Sequence, residues 1–452
     1  MPQHQPALMT HPLTYARLQQ GWSYRGAARK LAEAASALGI NQARGGSDKF
    51  WRWEKEGVTP DADSQRALAH ALGVPAKRVA LLPWPRWLPG AEDAFGAQAW
   101  TIAGCLAALE EVEDAVVDRR GFLTLSSVAL AGVASGWASV EPERAVAAAQ
   151  GGHLDDETVT WVEERIPGLR RMDDRLSGQS VLRLVVADLH MISELLSHSS
   201  YPDVLGRRLY AVAGELGQLA GWIAFDLGQH AAAQRYYTAG LHAAHAADDR
   251  QLGANILAGM SFQCALAGSP HDGIALAQTA QDQARDARPR VRALLASRTA
   301  RAAARAHDTT TCMSALNEAD RLLDAADATH PAEDPAWIYY FDRAELHAQA
   351  GACFSDLDQP KDAEPLLAQA LDTQDRSYVR DRTIYLIRAA RTHLQAGHLD
   401  AACDLAGQAA TLAHRSYSPR STTSVTDFRA SLTPWNDSPH VTALDEHLTA
   451  LA

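Results

Sequence analysis

A short turn followed by an alanine-rich run recurs five times in the second half of this chain. The stretches are "DLGQHAAAQRYYTAGL", "LAGSPHDGIALAQTA", "AHDTTTCMSALNEAD", "LDQPKDAEPLLAQAL" and "QAGHLDAACDLAGQA". Anchored on Gly228, Gly268, Asp308, Asp358 and Gly397, they are spaced 40, 40, 50 and 39 residues apart. A unit of this length holds a long helix, a tight turn and a second helix. One such pair cannot bury its apolar face alone, so successive pairs must stack. The repeat predicts an α-solenoid of helical hairpins over residues 151–450. Ala232, Ala233, Ala363, Ala401 and Ala402 fall where the two helices of a hairpin must approach closely, which a bulkier side chain would prevent. The 50-residue interval contains "DATHPAEDPAW", read as an inserted loop.

The rest of the chain is also helical in pattern, with alanine dominant and β-branched runs scarce, so the expected class is all-α. Residues 11–82 form short helical pieces separated by Gly, Ser and Pro. Residues 83–97, "PWPRWLPGAEDAFGA", read as a linker. Residues 98–150 read as connecting helices. Within them, "RRGFLTLSSVALAGVASGWAS" has the layout of a twin-arginine export signal. Such signals act at an N-terminus, and here a folded domain is expected before it. It is therefore read as a small-residue packing helix.

Charge divides the chain. Residues 11–82 hold eleven Lys/Arg against six Asp/Glu, a net of +5, whereas residues 83–452 hold 31 against 48, a net of −17. A basic head on an acidic body suits a DNA-binding domain joined to a part that does not bind nucleic acid. The five cysteines, Cys105, Cys264, Cys312, Cys353 and Cys403, are dispersed and never form a C-x-x-C pair. That spacing argues against a disulfide scaffold or a zinc ribbon and fits a reducing cytoplasm. No uncharged apolar run is long enough for a spanning helix, so no membrane is expected.

The head carries the local signals. In "GWSYRGAARKLAEAASALGI", Ser23 is placed to cap a helix. Ala27, Ala28 and Leu31 lie on one face, repeated by Ala35 and Leu38. After the basic turn "NQARGG" comes "SDKFWRWEKEG". Here Ser47 opens a short helix, Phe50 and Trp53 share a face, and Gly57 ends the segment. "TPDADSQRALAHALGV" supplies a further helix with Leu68 and Leu72 inward.

This layout resembles the Cro/lambda-repressor-type (XRE) helix-turn-helix. The resemblance is carried by Ser23, Ala27-Ala28, Trp53-Glu54, Gly57, Pro60 and Ala71-Leu72-Gly73-Val74. It extends through "RRGFL", "LAGWIAFDLGQHAAAQRYY", "DPAWIYYFDRAELHAQAG" and "SYVRDRTIYLIRAARTHLQAGHLDAA". Over nearly all of residues 11–415 the chain is similar to actinobacterial XRE regulators with a tetratricopeptide (TPR)-like body. The turn "NQARGG" is about five residues longer than the family's, and residue 27 is Ala where the family has Leu. The resemblance implies a cytoplasmic, sequence-specific transcriptional regulator whose head binds double-stranded DNA. It makes Phe50 and Trp53 core, and Ser47, Asp48, Lys49, Trp51 and Arg52 groove- or phosphate-facing. Tyr24, Arg25, Arg44 and Lys55 complete the DNA-binding set. A head this small reads few base pairs, so a homodimer on two half-sites is expected.

In a TPR-like solenoid the first helix of each hairpin lines the concave face. Gln218, Trp222, Asp226, Asn255 and Arg298 are the residues expected to meet a peptide or small-molecule effector there, with Glu215, Phe262 and Arg391 beside them. The competing reading makes Trp222 and Phe262 inter-repeat core. "HMISELLSH" sets His190, Glu194 and His198 along one helical face, too far apart for one ion. No phosphate loop, nucleophile elbow or H-E-x-x-H motif is present, so no enzymatic activity, metal or cofactor is expected. The alternative function is a TPR-type protein-interaction adaptor with a degenerate head that does not bind DNA. The long turn and Asp48 in the short helix keep it open.

Overall fold

The protein is all-α in a computed structural model. The structure describes residues 22–40, 47–55, 58–74, 98–114, 127–142, 152–176, 178–328, 333–416 and 418–451, together with Leu13, Ala16, Arg17, Val79, Trp84, Trp87 and Leu88. The chain divides into two compact units, residues 1–97 with 118–130, and residues 98–117 with 131–452. No helix among the described residues is long and apolar enough to cross a membrane.

The first unit contains α1 (Tyr24–Ala37), α2 (Ser47–Lys55) and α3 (Ala62–Ala71). Ser23 caps α1 by accepting from the Gly26 amide at 3.1 Å, and Asp61 caps α3 by accepting from the Ser64 amide at 2.7 Å. α1 packs on both α2 and α3. Its buried residues are Ala27, Leu31, Ala34 and Ala35. Leu38, expected inward, is 45% exposed. Gly39 turns left-handed at φ 68° directly after it, so the helix stops before the apolar face reaches Leu38.

A larger correction concerns the segment read as a linker. Trp87 and Leu88 are fully buried in the same core as Phe50, Trp53 and Leu68, with Trp84 packed against it. The indoles form a chain, with Trp53 to Trp84 at 6.4 Å and Trp84 to Trp87 at 5.6 Å. Trp87 Nε1 donates to Gln65 Oε1 at 3.0 Å. Trp84 and Trp87 lie in turns and Leu88 in a bend, so the absence of regular helix at these three residues does not keep them from packing into the core.

The second unit begins with α4 (Ile102–Asp114) and takes in residues 131–139 of α5 (Ser127–Ser139). α4 packs on later helices of this unit, and Trp137 is buried in it. Both therefore pack within the second unit. α6 (Asp156–Glu163), α7 (Ile166–Leu176) and α8 (Gln179–His198) follow. A two-residue parallel pairing joins β1 (Gly152–His153) to β2 (Ser199–Ser200).

Five helix pairs come next: α9 (Asp203–Asp226) with α10 (His230–Ala246), α11 (Arg250–Ala267) with α12 (Pro270–Gln283), α13 (Pro289–Arg305) with α14 (Thr309–Asp327), α15 (Arg343–Asp356) with α16 (Pro360–Thr373), and α17 (Val379–Gln395) with α18 (Leu399–Ser416). α19 (Pro419–Ser431) and α20 (Pro439–Leu451) close the unit. Each helix packs on its pair partner, and first helices pack on first helices from α9 to α17.

The turn inside each of these pairs uses one left-handed residue: Gly228, Gly268, His307, Asp358 and Gly397. The third anchor therefore falls at His307. Asp308 instead caps α14, accepting from the Thr311 amide at 3.0 Å. Ala233, Ala363 and Ala402 are fully buried, whereas Ala232 and Ala401 are half-buried.

α9 and α10 approach closely at Gly217 and Gly240. A Cβ built on Gly217 would lie 2.7 Å from the Gly240 Cα, a backbone atom that no rotamer change can move aside. Gly217→Ala is therefore expected to destabilise this unit by about 1–3 kcal/mol. The denaturant midpoint of the full chain measures it, and an unchanged midpoint would contradict the close approach.

Candidate functional site

In the first unit α2 presents two different faces. Phe50 and Trp53 are buried with ring centroids 5.0 Å apart. Trp51 is 48% exposed, Asp48 and Arg52 are exposed, and Lys49 is half-buried. The division follows from helical spacing: residues 50 and 53 share a face that residues 51 and 52 leave. Arg25 is exposed on α1. Arg44, and the side chains of Ser47 and Lys55, lie outside the described residues.

Glu54 holds the base of this helix. It is buried and takes a two-pronged ion pair from Arg17, Nε to Oε1 at 2.7 Å and Nη2 to Oε2 at 3.0 Å. Burial works against charge on Arg17, but the Glu54 carboxylate outweighs it and holds its pKa above the ordinary value. The Tyr24 hydroxyl also donates to Glu54 Oε2, at 3.0 Å, and the Arg17 guanidinium sits 4.2 Å from the Tyr24 ring centroid. Tyr24, included among the DNA-facing residues from the sequence, thus has its hydroxyl engaged inside the head. In the sequence Glu54 stands out only as part of the Trp-Glu motif, and no local pattern marks Arg17 as its partner.

The second unit holds a cleft enclosing about 770 Å³ of empty space, its open mouth included. Its walls come from the first helices of successive pairs, from α7, from the start of α19 and from Tyr339 and Tyr340. Of the residues expected to meet a ligand, Gln218, Trp222 and Arg298 line it, and Phe262 does too. Asp226 and Asn255 do not; both are buried. Asp226 accepts from the Ser418 hydroxyl at 2.9 Å and pairs with Arg420 at 3.4 Å, so it ties α9 to α19. Glu215 stands behind the wall, 3.2 Å from Arg170. Arg391 is exposed on α17, away from the cleft walls.

Aromatic and guanidinium groups interleave here. Trp222 and Phe262 lie 6.0 Å apart. Arg298 sits over Phe262 at 4.7 Å, and Arg380 and Arg420 approach the Trp222 ring at 5.8 and 5.9 Å. Arg170 Nη1 donates to Gln218 Oε1 at 2.9 Å. Burial disfavours the charged form of Arg380, yet the attraction of Asp173, Asp381 and Asp226 holds its pKa well above the usual value. Burial, with Arg301 nearby, lowers Arg388 to about 10. It raises Asp174 to about 6 despite a 2.6 Å hydrogen bond from Tyr339, and it raises Glu345 as well.

The inserted segment builds part of this wall. Trp337, Ile338 and Phe341 are buried, and Arg290 clamps the segment through Asp334 at 2.8 Å and the Phe341 carbonyl at 2.9 Å. That anchorage presents Tyr339 and Tyr340 to the cleft. The lengthened repeat interval was the available signal for them. α7, which brings Arg170, Asp173 and Asp174, precedes the first of the five repeated turns and carries no such signal.

Glu364 on α16, His393 on α17 and His398 in the following turn bring ligand atoms within 4.8 Å of one another, a set by which a metal ion could be held. His190, Glu194 and His198 all face solvent on α8. No protein-family model matches the chain, and no curated protein matches it.

Proposed function

We propose that this protein is a sequence-specific DNA-binding transcriptional regulator. In this reading its first unit is a helix-turn-helix head of the Cro/lambda-repressor type, and its second is a TPR-like body that dimerises and senses a ligand. The observation that carries the reading is α2. It buries Phe50 and Trp53 while leaving Trp51 and Arg52 exposed, as a helix that packs on one face and reads a groove on the other must do. The net charge of +5 over residues 11–82 adds phosphate attraction. The cleft, walled by polar and aromatic side chains, supports a sensing role for the body.

Selection from random duplexes with the full chain is expected to enrich one motif made of two related half-sites, about one helical turn apart. Binding should weaken steeply with salt as counterions are released. Arg52→Ala should cost roughly 1–3 kcal/mol on the selected site and relax preference at one base pair. Enrichment of no motif would remove this reading.

A further inference from the structure

α17 runs along the cleft like a ruler. Asp381, Ile384, Tyr385 and Arg388 all line it, at spacings that keep them on one helical face. The interval from Asp381 to Arg388 rises about 10 Å.

The two ends of that interval carry opposite surplus charge. At one end Asp173, Asp174 and Asp381 share the guanidinium of Arg380, which reaches Asp173 at 2.9 Å and Asp381 at 3.4 Å. At the other end Arg298 and Arg388 face the carboxylate of Glu345, with Arg298 at 3.8 Å. That carboxylate already accepts from the Tyr385 hydroxyl and the Gln349 amide. The remaining cleft arginines are matched by acids behind the wall, Arg170 by Glu215 and Arg420 by Asp226.

Four buried polar atoms of the cleft lining have no hydrogen-bond partner among the described residues, Arg170 Nε and Gln349 Oε1 being two of them. The other two are Asp173 Oδ1 at the acidic end and, at the basic end, Arg298 Nη1, which is ion-paired with Glu345 at 3.8 Å but not hydrogen-bonded to it. Both residues are more than nine-tenths buried. Buried polar atoms left without a hydrogen bond are costly, so a ligand that brings a donor to Asp173 Oδ1 and an acceptor to Arg298 Nη1 is favoured. Between the ends stands the apolar surface of Trp222 and Phe262.

Taking the cleft as the sensing site proposed above, we infer that its ligand is a small zwitterion. Its ammonium lies at the Asp173/Asp381 end and its carboxylate at the Arg298/Arg388 end, about 10 Å away along α17. Its middle is apolar or aromatic. Two sources share this chemistry: a tripeptide with free ends, which spans about 10 Å when extended, and a non-peptide ω-amino acid of similar reach.

Calorimetry on the full chain without DNA tests it. The probes are Ala-Phe-Ala with free ends, its N-acetylated and C-amidated forms, ω-aminooctanoate and the shorter γ-aminobutyrate. A free-ended long probe is expected to bind, and blocking either end of the peptide to weaken binding by about tenfold or more. Arg388→Met should abolish the penalty for amidation and keep that for acetylation, and Asp381→Asn should do the reverse. Binding of ω-aminooctanoate without the tripeptide assigns a non-peptide source. The inference is overturned if blocked and free peptides bind alike, if γ-aminobutyrate binds as well as ω-aminooctanoate, or if neither long probe binds. Because no DNA is present, failure here leaves the duplex selection standing, and failure of that selection leaves this result standing.

Discussion

Trp53→Ala is expected to destabilise the head by about 3–5 kcal/mol, while Trp51→Ala leaves it folded and impairs DNA binding. The two residues are separated by one position and by opposite environments. Trp53 is 4% exposed, touches Phe50 and joins the indole chain through Trp84 to Trp87, whereas Trp51 is 48% exposed. Removing the Trp53 indole therefore opens a cavity at the centre of a small core, where few other contacts compensate. Hydrogen exchange in the full chain reads the head separately from the helical body. Protection of α1 and α3 amides should fall by roughly two to four powers of ten with Trp53→Ala. Trp51→Ala should change it by no more than about 0.5 kcal/mol. Equal losses would refute the division of α2 into a packing face and a solvent-exposed face.

Much of the all-α class, and the pairing of helices along the second unit, was legible in the sequence. The turn residues Gly228, Gly268, Asp358 and Gly397 take the left-handed backbone that ends one helix and starts the next, and that requirement marks the sequence strongly. Burial of Trp53 was legible because helical spacing pairs it with Phe50. Burial of Trp84, Trp87 and Leu88 was not, because proline and glycine report the loss of regular backbone and say nothing about what the tryptophans between them touch. The cleft was half legible. Periodicity identifies which helices line it, and Gln218, Trp222 and Arg298 follow. How far the row of helices curls depends on small rotations accumulated over many pairs. Asp226 is buried against Ser418 and Arg420 and Asn255 is buried on α11, while α7 meets α17, a contact between residues too distant in sequence for any local pattern to report.

That contact sets the second large effect. Arg380 Nη1 on α17 meets Asp173 Oδ2 on α7 at 2.9 Å across 207 residues, and both side chains are almost fully buried. Taking either partner away leaves the other charge in a low-dielectric site with partial compensation. Arg380→Met is therefore expected to destabilise the second unit by about 3–5 kcal/mol. Replacing both, as Arg380→Met with Asp173→Leu, removes the stranded charge and should recover most of the loss, since a well-packed apolar pair can match a buried ion pair. Asp226, buried and held by Ser418 and Arg420 across 192 and 194 residues, makes a parallel tie between α9 and α19. Denaturant midpoints of the full chain, with hydrogen exchange in α7 and α17, distinguish the outcomes. A single substitution costing under about 1 kcal/mol would place the pair among weak surface ion pairs, and the closure of α7 onto α17 would then rest on apolar packing. The predicted large loss, reversed in the double variant, would instead mean that polar side chains hold the curl of the helical row. The charged groups that fix the cleft's shape would then be the same ones that a charged ligand engages.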